Sequence, residues 1–158
     1  MKTLFAALLT LILFTQCTKE STPVTGRLNQ DVDVTLHQTV ELTGSTTDEN
    51  PQPDKVRITF EDLNESRCPM NAMCIRQGAA VTQFRLERNR QQSPPVTLVI
   101  GDALPTDTRK LRSRSADTTL VTVDNARYQV ILKTVLPYPC AGCPDQETPK
   151  ASIRVTAQ

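Results

Sequence analysis

Histidine, glycine and aromatic residues are scarce in this 158-residue chain, with one histidine, five glycines, six aromatics and no tryptophan. The single histidine, His37, falls in a strand-like stretch on its presumed outer face, with no serine motif of nucleophile-elbow type to accompany it. No glycine-rich phosphate loop and no EF-hand spacing occurs. The apolar run Leu4–Phe14 falls short of the about 20 residues that a permanent membrane-spanning helix needs. Charge of one sign is also missing: 18 basic residues stand against 17 acidic ones, and loss of Lys2 with a leader would leave equal numbers. A nucleic-acid partner is disfavoured, because such binding carries a basic footprint. No amphipathic helix, internal repeat or second domain is legible.

Cysteine is present in an odd number, and the odd member comes first. Lys2 followed by Leu4–Phe14 has the charged-then-apolar order of a secretory signal. The stretch Phe14-Thr15-Gln16-Cys17 that ends it resembles the lipobox of bacterial lipoproteins, in which the cysteine is diacylated and becomes the new amino terminus. Gln16 departs from that pattern, where a small residue is usual. The alternative is an ordinary secretory signal with a chance cysteine. Two acyl chains anchor stably where one binds only marginally. The expectation is a signal peptide over residues 1–16, a lipidated Cys17 with a spacer over 17–30, and one domain over 31–158. Thr18 stands where an inner-membrane retention signal has Asp, and Lys19-Glu20 faintly resembles a surface-export signal. The outer membrane is therefore the expected location, on its periplasmic or its surface face.

The domain reads as all-β, because its repeating signal has period two. Val32, Val34, Leu36, Val40 and Leu42 alternate, interrupted by Gln38, and Val56, Ile58 and Phe60 do the same. Phe84 with Leu86, Val96–Ile100, Thr119–Val123, Tyr128–Leu136 and Ser152–Thr156 complete about seven strands with turn residues between them. That spacing predicts an antiparallel immunoglobulin-like β-sandwich, with a small β-barrel as the alternative. Acids concentrate between Asp31 and Glu65 and arginines between Arg85 and Arg114. Such a distribution reads either as faces that neutralise one another or as a contact for lipid phosphate or another polyanion.

Four cysteines remain, as Cys68-Pro-Met-Asn-Ala-Met-Cys74 and Cys140-Ala-Gly-Cys143. An exported chain with an even remainder reads as two disulfides. Spacing alone leaves three pairings open. Closing each short loop contributes about 2 kcal/mol in the chain-entropy model, against about 4 for a first crosslink between the clusters. Flanking Pro69, Pro139 and Pro144 make a local bridge sterically plausible at both sites, so Cys68 with Cys74 and Cys140 with Cys143 is the expectation. A redox centre at Cys140–Cys143 would need a lowered thiol pKa, for which no helix terminus or neighbouring cation is visible. A four-thiolate zinc centre has the right ligand count but is disfavoured by export, so neither metal nor cofactor is expected.

The stretch Phe60-Glu-Asp-Leu-Asn-Glu-Ser-Arg-Cys-Pro69, with Cys74-Ile75, Gly78-Ala79 and the late Tyr128–Leu136 strand running into Pro137-Tyr138-Pro139, resembles a family of uncharacterised bacterial secreted and lipoprotein domains. The resemblance covers most of residues 32–157, with departures at Asn64, Glu65 and Arg76, and with Cys140 and Cys143 as additions. It implies that the Cys68–Cys74 pair is self-contained, and it carries no established activity.

No catalytic residue is expected. Glu61 and Asp62, as adjacent strand residues, would point to opposite faces and could not converge as a glycosidase pair must. Asp117-Thr118-Thr119 resembles a short bacterial O-glycosylation motif, which would place a glycan on Thr118 in an exposed turn. The expected role is a non-enzymatic envelope lipoprotein that binds an envelope protein or glycan or contributes to surface architecture. An envelope thiol–disulfide or hydrolytic enzyme is the alternative. The candidate contact surface is the stapled loop, with Arg67, Met70, Met73 and Ile75, because a short disulfide reduces the ordering entropy lost on association. The competing reading is that these side chains cap one end of the core.

Overall fold

The structure, a computed structural model, describes residues 24–45, 53–105, 113–144 and 146–158. The leader, Cys17 and its nearest neighbours, Asp48, Glu49, Pro51, Arg109, Lys110 and Arg112 lie outside the described residues. The described chain forms ten strands: β1 Val24–Arg27, β2 Asp31–Thr35, β3 Thr39–Thr43, β4 Lys55–Glu65, β5 Ala79–Arg88, β6 Gln91–Gln92, β7 Val96–Gly101, β8 Asp117–Val123, β9 Ala126–Leu136 and β10 Lys150–Ala157. One sheet has the order β1-β3-β4-β5, with β6 and β7 both paired to β5; the other has the order β2-β10-β9-β8. The two sheets pack face to face as a sandwich.

Alternation explains the core. Val56, Ile58 and Phe60 of β4 and Ala80, Phe84 and Leu86 of β5 are buried between the sheets, opposite Val130, Leu132, Ile153 and Val155. Phe60 and Phe84 are cross-strand partners and stack with ring centroids 4.9 Å apart. The connectivity departs from an immunoglobulin Greek key. Leaving aside the edge strand β1 and the two-residue β6, strands follow one another around the sandwich in chain order, and β10 returns beside β2. Every pairing is antiparallel except β1 with β3.

Three local features differ from the sequence reading. The alternating run from Val32 to Leu42 is two strands in different sheets. His37, at φ 65°, turns the chain between them, donating its N–H to the Phe60 carbonyl at 2.8 Å. Both sheets face the same core, so an alternation of inward residues survives the crossing and hides it. Gln38 marks the break, because its Oε1 accepts the Thr35 N–H at 3.0 Å. Secondly, the expected spacer over 17–30 is too long. Val24–Arg27 is a strand in parallel register with Val40–Thr43, and Leu28 is in the core. Thirdly, Glu61 is a β-bulge: Phe60 pairs with Phe84 and Asp62 with Gln83, which leaves Glu61 without an opposite residue. Inward positions therefore shift from even to odd numbers, and Leu63 and Glu65 lie opposite Thr82 and Ala80.

Early acids meet late bases, as neutralising faces require. Arg85 pairs with Glu61, Arg88 with Asp54 and Asp124, and Lys133 and Arg154 both with Asp31. The expected exposed turn at Asp117 is instead the start of β8. Asp117 is buried, and its Oδ2 accepts the Val99 N–H of β7 at 2.8 Å, which joins the two sheets along one seam.

At the lower end, where β4 and β9 begin, the buried Tyr128 donates its hydroxyl to Asp54 Oδ2 at 2.5 Å. Arg88 Nε donates to Asp54 Oδ1 at 2.9 Å. Burial raises the Asp54 pKa, but the hydrogen bonds from Tyr128 and Arg88 outweigh it and hold the carboxyl below its ordinary 3.8. Burial and the same carboxylate push the Tyr128 hydroxyl upward. A depressed carboxyl contributes stability above its unfolded pKa and loses it as pH falls through the folded value. Tyr128→Phe is expected to cost about 1.5–3 kcal/mol near neutral pH, the range for a hydrogen bond to a charged group. In urea unfolding as a function of pH, the gap to wild type should narrow below the carboxyl range; a gap independent of pH would contradict this assignment.

Candidate functional site

The upper end of the sandwich, where β4 ends and β5 begins, carries both cysteine loops. Beyond Glu65 the chain is zipped into a neck: the Ser66 N–H donates to Ala79 O at 2.9 Å and the Cys68 N–H to Gln77 O at 2.7 Å. Gly78 closes the neck at φ 68°, where an added Cβ would sit 1.9 Å from the Ser66 carbonyl oxygen. Only glycine fits there. The Cys68–Cys74 disulfide spans the loop with its Cα atoms 5.9 Å apart, and Ala72 N–H to Pro69 O at 3.0 Å forms a turn inside it.

From the other sheet, the β9–β10 connection is closed by Cys140–Cys143, with Cα atoms 5.6 Å apart. All four cysteines among the described residues are thus in disulfides, and the thiolate ligands that a zinc centre would draw from them are committed. The two stapled loops dock on each other. Asn71 Nδ2 donates to Ala141 O at 2.8 Å, and the Ala141 N–H returns a hydrogen bond to Asn71 Oδ1 at 2.9 Å. The Met70 N–H donates to Pro139 O at 2.9 Å, and Gln146 Nε2 to the Cys140 carbonyl at 2.7 Å. These contacts at the second loop are made by neutral groups.

Arg67 requires a correction. Expected at the contact surface, it is only 8% exposed and faces inward. Glu65, aimed by the bulge, accepts from the Arg67 backbone N–H at 3.0 Å and from its Nε at 2.9 Å. The guanidinium Nη2 also donates to the Val135 carbonyl of β9 at 3.0 Å, and its carbon lies 4.5 Å from the Tyr138 ring centroid. A guanidinium has five donors and two faces, so one side chain can grip a carboxylate, a carbonyl and a ring together. Arg67 and Tyr138 belong to the Ser66-Arg67-Cys68-Pro69 and Pro137-Tyr138-Pro139 segments, which the fold brings into contact.

The other loop candidates point outward. Met70 is 67% exposed, Met73 104% and Ile75 106%, so they display apolar surface and do not cap the core. Shallow grooves surround the base of the loop, and two of them border the Glu65–Arg67 pair. One, of about 390 Å³, runs between Leu63, Glu65, Pro137, Pro139 and Pro149. The other, of about 300 Å³, is bordered by Arg67, Ile100, Lys133, Leu136 and Tyr138.

Elsewhere, Thr118 is exposed on β8, and His37 is exposed on the arch between the sheets. Glu61 is held by Arg85, and its hydrogen bond pushes the arginine pKa further up from its ordinary value. Glu65, Asn71 and Tyr138 are the members of the site that sequence reasoning left out. Glu65 and Arg67 stand two apart, the same-face spacing of a strand, and that spacing was a legible signal.

Comparison of the chain with protein-family models, with curated proteins and with solved structures gives no match in any of the three.

Asn71→Ala removes both side-chain hydrogen bonds between the loops. Hydrogen exchange at the Ala141 amide should accelerate by up to about tenfold, the equivalent of one net hydrogen bond, while amides in the middle of β9 and β10 keep their wild-type rates. An unchanged Ala141 rate would show that the loops are held together by something else.

Proposed function

We propose that this chain is a non-enzymatic cell-envelope lipoprotein, held at the outer membrane through an acylated Cys17, whose sandwich presents Met70, Met73 and Ile75 as a contact face. The immunoglobulin-like description is proposed for the layering alone. The observation that carries the reading is the exposure of three large apolar side chains on a base fixed by two disulfides and by Arg67. A preorganised loop loses little ordering entropy on binding, and methionine adapts to irregular apolar partners. Two disulfides suit an exported chain, because they persist in oxidising compartments.

The chemistry of the tip favours an apolar partner over a glycan, since Pro69–Arg76 contains no aromatic ring on which a sugar could stack. Among the described residues no helix is long and apolar enough to cross a membrane. An acyl anchor at Cys17 would supply the attachment. The shortened spacer matters here: six residues, 18–23, separate Cys17 from Val24 of β1, and the seven Cα–Cα steps between them span at most about 25 Å when fully extended.

Mass spectrometry of the amino-terminal peptide from native membranes should find Cys17 as the first residue, carrying acyl chains. Cys17→Ser should release the protein from the membrane fraction with its two disulfides intact. An unmodified terminus at another residue, or a reduced protein in the cytosol, would contradict the proposal.

A further inference from the structure

We infer that the tip formed by Met70, Met73 and Ile75 rests in the headgroup layer of the same bilayer that holds the acyl chains of Cys17. The inference rests on the lipoprotein reading above and names the partner of that contact face. Its first support is strand direction. β1 is parallel to β3, and β3 is antiparallel to β4, so β1 runs from the upper end toward the lower. Val24 is therefore the uppermost residue of β1, on the side of the stapled loops.

The second support is reach. Val24 pairs with Val40, which pairs with Ile58, so Val24 stands at the level of Ile58 on β4. From Ile58 to Glu65 the strand advances seven residues, one of them absorbed by the bulge, which is a rise of about 20 Å. The tether from Val24 to Cys17 reaches at most about 25 Å. With its upper end toward the lipid, the domain has almost no slack to lift the tip clear of the surface.

The third support selects that orientation over others. Of the six large apolar side chains exposed among the described residues, Met70, Met73, Ile75 and Leu136 all lie at the upper end. The lower end instead carries the Arg88–Asp124 ion pair with Asn89 bonded to Asp124. Near the tip, exposed Lys150 is paired with exposed Glu147, which leaves exposed Arg76 as the one excess cation of the three. Contact is therefore driven by apolar area, with little demand for anionic lipid.

The absence of tryptophan from the chain allows a direct test. Ile75→Trp, with Met73→Trp as a second probe and Leu120→Trp on β8 as a control, is introduced into the full chain purified from membranes. Each protein is reconstituted into phosphatidylcholine vesicles with brominated acyl chains. Quenching at position 75 or 73 should exceed that at position 120 by about twofold or more, with blue-shifted emission, and should change little when anionic lipid is added. A protein that floats with the vesicles, carries its acyl mass, and keeps solvent-exposed emission at both loop positions would overturn the bilayer contact alone and point to a protein partner. A protein that neither floats nor carries the acyl mass would overturn the tether, and with it both readings.

Discussion

The grip of Arg67 on both sheets is the interaction through which the upper end of this molecule is organised. Its guanidinium is held by Glu65 on β4, donates to the Val135 carbonyl on β9, and lies over Tyr138 in the segment that leads to the second disulfide. Glu65 can take part only because the bulge at Glu61 reverses the inward phase of β4. Without that extra residue the Glu65 carboxylate would face the opposite side of the sheet. The order of cause runs from bulge to carboxylate, from carboxylate to buried arginine, and from arginine to the direction in which the stapled loop leaves the sandwich. Desolvating such a pair can cost as much as its attraction returns, so its part is to position the loop more than to stabilise the fold.

Stability comes from elsewhere. Both faces of the core are lined by aliphatic residues and by Phe60, Phe84 and Tyr128, and the seam between β7 and β8 is closed by Asp117. Each disulfide closes a very short loop, so in the chain-entropy model each adds about 2 kcal/mol and rigidifies mainly its own loop. The two ends of the sandwich consequently differ in kind. The lower end ties half-buried polar groups into the Tyr128–Asp54–Arg88 network, and the upper end places its covalent crosslinks on a base from which apolar side chains project.

Much of this architecture was legible from period-two alternation, which marks inward residues whichever sheet they belong to. That same indifference concealed the crossing at His37, where Val34 of one sheet and Val40 of the other both point into a shared core. The bulge was illegible for a related reason: a single extra residue changes phase without changing composition. β1 read as spacer because a four-residue edge strand with one glycine has little hydrophobic pattern of its own, although Gly26 fits closely against Leu42 and Val32. Arg67 read as surface because its partners Val135 and Tyr138 are about seventy positions away, beyond anything local spacing can show. The cysteine loops, by contrast, were visible as loops because prolines and close cysteines leave few other conformations.

The central claim, that Arg67 and Glu65 act as one coupled unit in placing the loop, is tested most directly by a double-mutant cycle. Arg67→Met, Glu65→Gln and the combined variant would each be unfolded in urea with disulfides intact. Each single change leaves a charge in a partly buried site without its partner, so the account predicts that the double variant loses less than the two singles together, by about 1–3 kcal/mol. Additivity within about 0.5 kcal/mol would contradict it and would reduce the clamp to two independent side chains.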